Sequence, residues 1–504
     1  MIRRLLIANR GEIALRIMRA CRELDIETVA VYSDADAGAA HTLAADRAVG
    51  IGPAPATDSY LSIASIIDAA RTSGADAVHP GYGFLSENAG FARACEEAGL
   101  IFVGPPSHVI ARMGSKIDAR RTMEAAGVPV VPGATPDDQS DAGVLRALAQ
   151  VGVPALVKAS SGGGGKGMRE VEALSDAADA IQAARREAQH AFGNGTLYIE
   201  RRIVRPYHVE VQILADTHGR AVHVFERECS VQRRHQKVIE ESPSPHVTPA
   251  LRARITAAAV KAAVASGYRN AGTCEFLVDL SAGDADTAPF YFLEMNTRLQ
   301  VEHGVTELVA GVDLVRAQLL VASGEPLPWT QEQLTQRGHA IEARVYAEDP
   351  ATDFLPQAGT LLLYREPRIP GVRVDSGMRE ADAVSVHYDP MLAKVIAYAE
   401  TRALAIARLR EALRSFPILG ITTNIPFLVR LLDHPGFRAA TLDTSFLDHH
   451  TQELMTPPSE DLQPFVDAAF AAIDRTADHG TASESPLPEA STDPWNRLTG
   501  WRMP

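Results

Sequence analysis

The chain has little cysteine, no excess of positive charge and no long hydrophobic run, and each scarcity removes a class of protein. Its four cysteines, Cys21, Cys95, Cys229 and Cys274, stand far apart with no CxxC pair. A disulfide scaffold is thereby excluded, and reduced thiols in a cytoplasmic protein are expected. A formal net charge of −14 speaks against general affinity for nucleic acid. Local basic positions such as Arg233, Arg234 and Lys237 still leave anionic substrates open. No apolar stretch approaches the roughly 20 residues of a membrane span. The opening MIRRLLIANRGE has too short an apolar part for a signal peptide and no small-residue cleavage site after it, so it reads as a first strand. The β-α-β beginning lacks GxGxxG, so no dinucleotide site is indicated, and there are no internal repeats. What is left is the composition of a soluble globular enzyme, 46% hydrophobic and 22% charged, with 504 residues for about three domains.

The densest chemistry lies in YFLEMNTRLQVE, residues 291–302. Read with a period of two, Phe292, Glu294, Asn296, Arg298, Gln300 and Glu302 share one side. Two carboxylates, two amides and a guanidinium suit a hard cation and an anion together. Upstream, AGTCEFLVDL also reads as a strand. An antiparallel hairpin across SAGDADTAP sets Glu275 opposite Glu294. Two carboxylates at about 5 Å repel unless a cation is shared, and magnesium suits a site with few carboxylates. The plain alternative is a solvated sheet face on which Arg298 neutralises a carboxylate.

In chain order, residues 2–8 read as a buried strand, followed by a helix with Ile13, Ile17, Cys21 and Leu24 on one face and a second strand, ETVAVYS. This pattern predicts a parallel sheet. HPGYGFLSEN reads as a structural turn, with Ser86 or Asn88 as the next helix cap. RMGSK puts Lys116 at the start of a new helix. The strand PALVKAS carries Lys158 near its end and runs into four glycines, Lys166 and Gly167. Such a loop brings backbone N–H groups onto an anion, and a phosphate site is favoured over a flexible linker. It is not a P-loop, since no Ser or Thr follows Lys166. Glu200 to Ile203 sit where a strand becomes a linker and can offer backbone groups to an adenine edge. His208 and Glu210 share a strand face, and QRRHQK, residues 232–237, cannot all be core. TPALRARITAAAVKAAVASG and ELVAGVDLVRAQLLVASG each read as one helix. Glu342 and Arg344 share a strand face, and Asn424 is expected to cap the helix that carries Pro426 in its first turn. Beyond Phe446 the chain turns Pro-, Ser- and acid-rich, with one helical stretch, DLQPFVDAAFAAID, in a linker-like tail.

Taken together, ANRGEIA, HPGYGFLSEN, KASSGGGGKGM, HVEVQ, ECSVQRRHQKVIEE, EMNTRLQVEH and GHAIEARVYAED resemble the biotin carboxylase family, a branch of the ATP-grasp ligases. The resemblance covers residue 2 to about 447 and is closest to acyl-CoA carboxylase α-subunits. It implies an α/β fold with a Rossmann-like N-terminal domain (1–113), an ATP-grasp domain (114–330) with a mobile lid (about 131–203), a mixed α/β C-terminal domain (331–447) and a tail (448–504). It implies a ligase that forms a C–N bond by ATP- and bicarbonate-dependent carboxylation of biotin. By the resemblance, Lys116, Lys158, Gly164, Gly165, Glu200, Arg201, Ile203, His208, Gln232 and His235 would bind ATP. Glu275, Glu294 and Asn296 would hold magnesium or manganese. Lys237, Arg298, Gln300 and Val301 would hold bicarbonate, Glu302 would be the base and Arg344 would meet biotin. Three positions depart from the family pattern: Ser161 replaces the first loop glycine, Lys166 an arginine and Gly304 the proline after EH. The family's biotinyl-lysine motif, commonly AMKM, does not occur, so biotin would arrive on a carrier domain or protein, with a carboxyltransferase as further partner. The terminus DPWNRLTGWRMP resembles the opening of a connecting domain, which suggests a truncated or split α-subunit. The family also implies a homodimer or larger complex, with Arg19 and Glu23 as contacts, and no membrane or nucleic acid. The alternatives are another ATP-grasp carboxylase, or a non-catalytic ATP-binding scaffold subunit.

Overall fold

Apolar strands that alternate with helices open the chain: RLLI, ETVAVYS and AVH are buried nearly throughout, as strands of a doubly covered parallel sheet are. The structure, a computed structural model, describes residues 1–160, 167–234, 236–281 and 283–455. Ser161, Gly164, Gly165, Lys166, His235 and the tail helix expected after residue 456 lie outside the described residues.

Strands β1 (Arg4–Ile7), β2 (Glu27–Ser33), β3 (Arg47–Gly52), β4 (Ala77–His79) and β5 (Ile101–Phe102) form a parallel sheet in the order β3-β2-β1-β4-β5. The helix Gly11–Glu23 buries Ile13 and Ile17 with Leu314 and Leu319 of the later helix Leu314–Ala322. Asn88 caps the helix Ala89–Glu97 by accepting the Phe91 N–H at 2.9 Å. Ser115 caps the helix Lys116–Ala125, which places Lys116 at its first position.

A four-stranded antiparallel sheet follows, β6 (Gly133–Ala134), β7 (Ala155–Ala159), β8 (Met168–Val171) and β9 (Leu197–Arg201), in the order β6-β9-β7-β8. With the helices Asp141–Val151 and Ala177–Phe192 it closes a core of its own around Val144, Leu148, Val157, Ile181 and Leu197.

The largest sheet has eight antiparallel strands: β10 (Tyr207–Ala215), β11 (Ala221–Arg233), β12 (Gln236–Ser242), β13 (Asn270–Val278), β14 (Phe290–Asn296), β15 (His339–Tyr346), β16 (Val372–Ser376) and β17 (Met391–Ala399). Their order is β14-β13-β10-β11-β12-β15-β17-β16, so one sheet runs from the acidic hairpin to the C-terminal strands.

Three local expectations are corrected. The period of two does not continue to Glu302, because the strand ends at Asn296. The Thr297 N–H donates to Glu87 at 3.0 Å instead of to a ladder partner, and Glu302 stands at the N-terminus of the helix His303–Ala310. The stretch from Glu307 to Gly324 is not one helix: Gly311, at φ 66°, ends the first, and Asp313 caps the second by accepting the Arg316 N–H at 2.7 Å. Asn424 stands at the cap position of the helix Ile425–Asp433, but its side chain makes no cap hydrogen bond. Arg19 and Glu23, expected as contacts between copies, are exposed, and within the chain they face Asp375 at 3.6 Å and Arg316 at 3.3 Å.

Candidate active site

The hairpin of β13 and β14 sets Glu275 directly opposite Glu294, with a bulge just after Glu275. On the other side of β13, β10 brings Glu210 opposite Glu275 and His208 opposite Leu277. The Glu275 carboxylate is the meeting point. It lies 2.8 Å from His208 Nε2 and accepts from Lys237 Nζ at 3.0 Å, Asn296 Nδ2 at 2.8 Å and Gln300 Nε2 at 3.1 Å. Burial pushes Glu275 up, but Lys237 and His208 outweigh it and hold the carboxyl well below its usual range. Glu294 goes the other way: burial and the charge of Glu275 push it up, with Lys116 working against them. Two opposed carboxylates, Glu275 buried and Glu294 half-buried, with a neutral amide oxygen beside them are a donor set that a divalent cation fits.

Lys237 lies on β12 and donates to three carboxylates, Glu210 at 2.6 Å, Glu275 at 3.0 Å and Glu302 at 2.8 Å. Burial opposes its charge, and the surrounding acids more than offset that, so the ammonium is held charged. Glu302 is fully buried and accepts from Arg344 at 3.0 Å as well. Burial pushes Glu302 up, but Lys237, Arg344 and Arg227 keep it ionised well below the usual carboxylate range. Arg344, from β15, also pairs with Glu240. Arg298 donates to Glu87 at 3.0 Å, Leu299 O at 3.1 Å, Gln300 Oε1 at 2.6 Å and Asn296 Oδ1 at 3.2 Å. The Val301 carbonyl accepts from Lys394 Nζ at 2.6 Å. Gln232 faces Lys237 across the β11–β12 register.

A second group lies toward the small sheet. Lys158, at the end of β7, donates to Glu200 at 2.5 Å, and Arg120 shares that carboxylate at 3.1 Å. Burial lowers the pKa of Lys158, and Glu200 more than offsets this. Lys116 is lowered by burial, with Glu294 working against it. Arg201 and Ile203 line a cavity of about 510 Å³ with Arg205, Tyr207 and Leu280.

Thus Lys237, His208, Glu275, Asn296, Arg298, Gln300, Glu302 and Arg344 form one connected network, whereas Lys158 and Glu200 form a separate pair. Four charged residues that sequence reasoning passed over, Glu87, Arg227, Glu240 and Lys394, complete it together with Glu210, which was read only as sharing a strand face with His208. Lys394 offered a signal, a lone lysine in the apolar strand MLAKVIAYA. Glu87 offered none, because its partner lies 211 positions away. Gly304, which stands where the family has a proline, is buried, and a Cβ there would press on Ile396 Cδ1.

A parallel opening sheet, a small sheet with its own core and a large antiparallel sheet that holds paired carboxylates beside buried lysines define a protein of the ATP-grasp class. Family models agree along nearly the whole chain. "Biotin carboxylase, N-terminal domain" matches residues 1–110, "Carbamoyl-phosphate synthase L chain, ATP binding domain" matches 115–330, and "Biotin carboxylase C-terminal domain" matches 342–449. The biotin carboxylase of Halalkalibacterium halodurans is 50% identical over 450 residues, which cover 89% of this chain and 98% of that protein. The chain belongs to the biotin carboxylase family. The mitochondrial methylcrotonoyl-CoA carboxylase subunit alpha of Oryza sativa is also 50% identical, over 92% of this chain. The chain spans 62% of the length of that subunit and 61% of its Glycine max counterpart. Among solved structures, a Campylobacter jejuni biotin carboxylase–β-γ-ATP complex superposes with a TM-score of 0.85 at 43% identity, covering 89% of this chain and 99% of its own. The biotin carboxylase domain dimer of Hydrogenobacter thermophilus 2-oxoglutarate carboxylase, in complex with MgADP, ADP and bicarbonate, gives 0.86 at 41% identity, covering 91% and 100%.

Proposed function

We propose that this chain carboxylates biotin with ATP and bicarbonate, as the biotin carboxylase component of an acyl-CoA carboxylase. The observation that carries the reading is the buried carboxylate Glu302 between two fixed cations, Lys237 and Arg344. Bicarbonate entering there takes hydrogen bonds from Lys237 and Arg298 and draws their charge away from Glu302, which restores its basicity. Glu302 accepts the bicarbonate proton as the oxygen attacks the γ-phosphorus, the bond to ADP breaks and carboxyphosphate forms. Glu275, Glu294 and Asn296 would hold magnesium or manganese, which when bound neutralises charge on the phosphate oxygens. Lys116 and Lys158 neutralise phosphate charge from the other side, Arg201 and Ile203 border the adenine, and His208 and Gln232 orient the nucleotide. Carboxyphosphate breaks to CO2 and phosphate, and phosphate takes the N1 proton of biotin. Arg344 steadies the ureido oxygen of the resulting anion, and as a guanidinium it keeps its own proton.

The small sheet with its separate core supports a lid over roughly 131–203 that closes on the nucleotide. The neighbouring spans, 1–113, 114–330 and 331–447, are read as the three working domains. Biotin would arrive on a carrier domain or protein, and a carboxyltransferase would consume the product. A pair of such chains, as in the Hydrogenobacter domain dimer, is the proposed assembly. No described helix is long and apolar enough to cross a membrane. The reading of a reducing compartment such as the cytoplasm rests on four free, buried cysteines.

The deciding experiment measures ADP release by the purified chain with magnesium and bicarbonate, with and without free biotin. Bicarbonate-dependent release that biotin raises is expected. Tight ATP binding without release would overturn the reading in favour of a scaffold subunit.

A further inference from the structure

Asn424 draws attention because it gives up the task its position predicts. It is 2% exposed at the start of the helix Ile425–Asp433, yet its amide caps nothing. Instead, Asn424 Nδ2 donates to the Arg344 carbonyl at 3.0 Å, and Asn424 Oδ1 accepts the Tyr346 N–H at 2.9 Å. The Asn424 N–H adds a third bond, to the Tyr346 carbonyl at 3.2 Å.

The sheet explains why β15 needs this partner. Its ladder with β12 pairs Ala340 through Ala343 with Ser242 through Ile239 and goes no further. Arg344 and Tyr346 are buried, so backbone groups facing the missing ladder need other hydrogen bonds. An asparagine side chain sets an N–H donor beside a carbonyl acceptor in one plane, the same pair a strand backbone would present. Asn424 therefore stands in for a strand over the two residues that aim Arg344. On the opposite edge, β17 pairs Lys394 with Arg344. The guanidinium itself is held by Glu240 and Glu302. Backbone and side chain of Arg344 are thus fixed separately, and on the β12 side the backbone part rests on Asn424.

We propose that Asn424 is the positioning residue for Arg344, its amide locking the backbone of residues 344–346 so that the guanidinium meets the ureido oxygen of biotin. This rests on the function proposed above and assigns a role within it to a residue that touches no substrate.

The test compares wild type, Asn424→Ala and Asn424→Asp in bicarbonate-dependent ADP release with and without free biotin. Asn424→Asp keeps the volume and the acceptor for Tyr346 but sets an oxygen against the Arg344 carbonyl, so it serves where Asn424→Ala fails to fold. In a folded variant, biotin-independent release is expected within about twofold of wild type, while the biotin-stimulated part falls about tenfold or more. Loss of packing alone lowers both together and leaves their ratio unchanged. A ratio within twofold of wild type in either folded variant overturns the proposal. Wild type that releases no ADP sinks the biotin carboxylase reading itself, which is a separate outcome.

Discussion

Lys237 shows how a single side chain sets the state of its neighbours. Three buried carboxylates surround one ammonium, and for Glu275 and Glu302 its charge outweighs burial and holds the carboxyl ionised. Glu302 is thereby held as a carboxylate, and in the proposed reaction it becomes a stronger base only when bicarbonate claims its cations. Changing Glu302→Gln keeps the shape and removes the proton acceptor. Bicarbonate-dependent ADP release is expected to fall about a hundredfold or more, with ATP affinity by calorimetry unchanged. Unchanged turnover would remove Glu302 as the base. Arg344 is argued to act later, on biotin. Arg344→Ala is expected to spare slow bicarbonate-dependent ATP cleavage and to lose biotin carboxylation. Arg344→Lys should not restore it, because a point charge cannot span Glu240 and Glu302 as a guanidinium does. Equal loss of both activities would move Arg344 to bicarbonate positioning.

Elements were legible where one local rule decides them. The hairpin register that opposes Glu275 and Glu294 follows from strand alternation and the loop between them, and it stands as read. The continuation of that alternation to Glu302 fails because Glu87, from a segment read only as a turn, takes the Thr297 N–H. No local pattern carries such a contact. Helix boundaries failed for a smaller reason, a single glycine at positive φ within an apolar run. Gly304 belongs to this scale too, since the helix His303–Ala310 packs its first turn on Ile396 of β17, a residue with no exposed surface. Gly304→Ala is expected to destabilise by about 1–3 kcal/mol through overpacking. Ile396→Val removes the methyl in the way, so the double variant should lose less than the two single losses added. Urea unfolding of the four proteins measures this. A neutral Gly304→Ala would show that the site helix tolerates a side chain there.

At the scale of the whole molecule, the site is held by segments that no local reading joins. Arg16 of the first helix pairs with Glu307 of the site helix at 2.8 Å, and Arg373 of β16 pairs with the same carboxylate at 2.6 Å. Lys394 of β17 reaches both the Val301 carbonyl and Glu12, at 2.6 and 3.3 Å. Partners far apart in sequence are fixed by topology, which is why the contact of Glu87 was invisible and Lys394 showed only as an odd lysine without its partner, while the hairpin was legible. The same burial makes the molecule sensitive to acid. His79, at the end of β4, accepts the Gly81 N–H at Nδ1 and sets Nε2 3.3 Å from the Gln318 side-chain oxygen, so the ring is held neutral. Burial lowers its pKa to about 4, with the bond to Gln318 working against it. The unfolded chain takes up this proton near pH 6.5, before the folded one does. The contribution of His79 is therefore complete above about pH 6.5 and is lost as pH falls to about 4, up to roughly 3 kcal/mol. His41, also buried and lowered to about 4, acts in the same window. The urea midpoint should fall steadily from pH 7 to pH 5, and His79→Gln, which cannot titrate, should fall less steeply even if it begins lower. An unchanged slope in that variant would mean that His79 takes its proton as readily in the fold as outside it, so that the Gly81 contact does not hold the ring neutral.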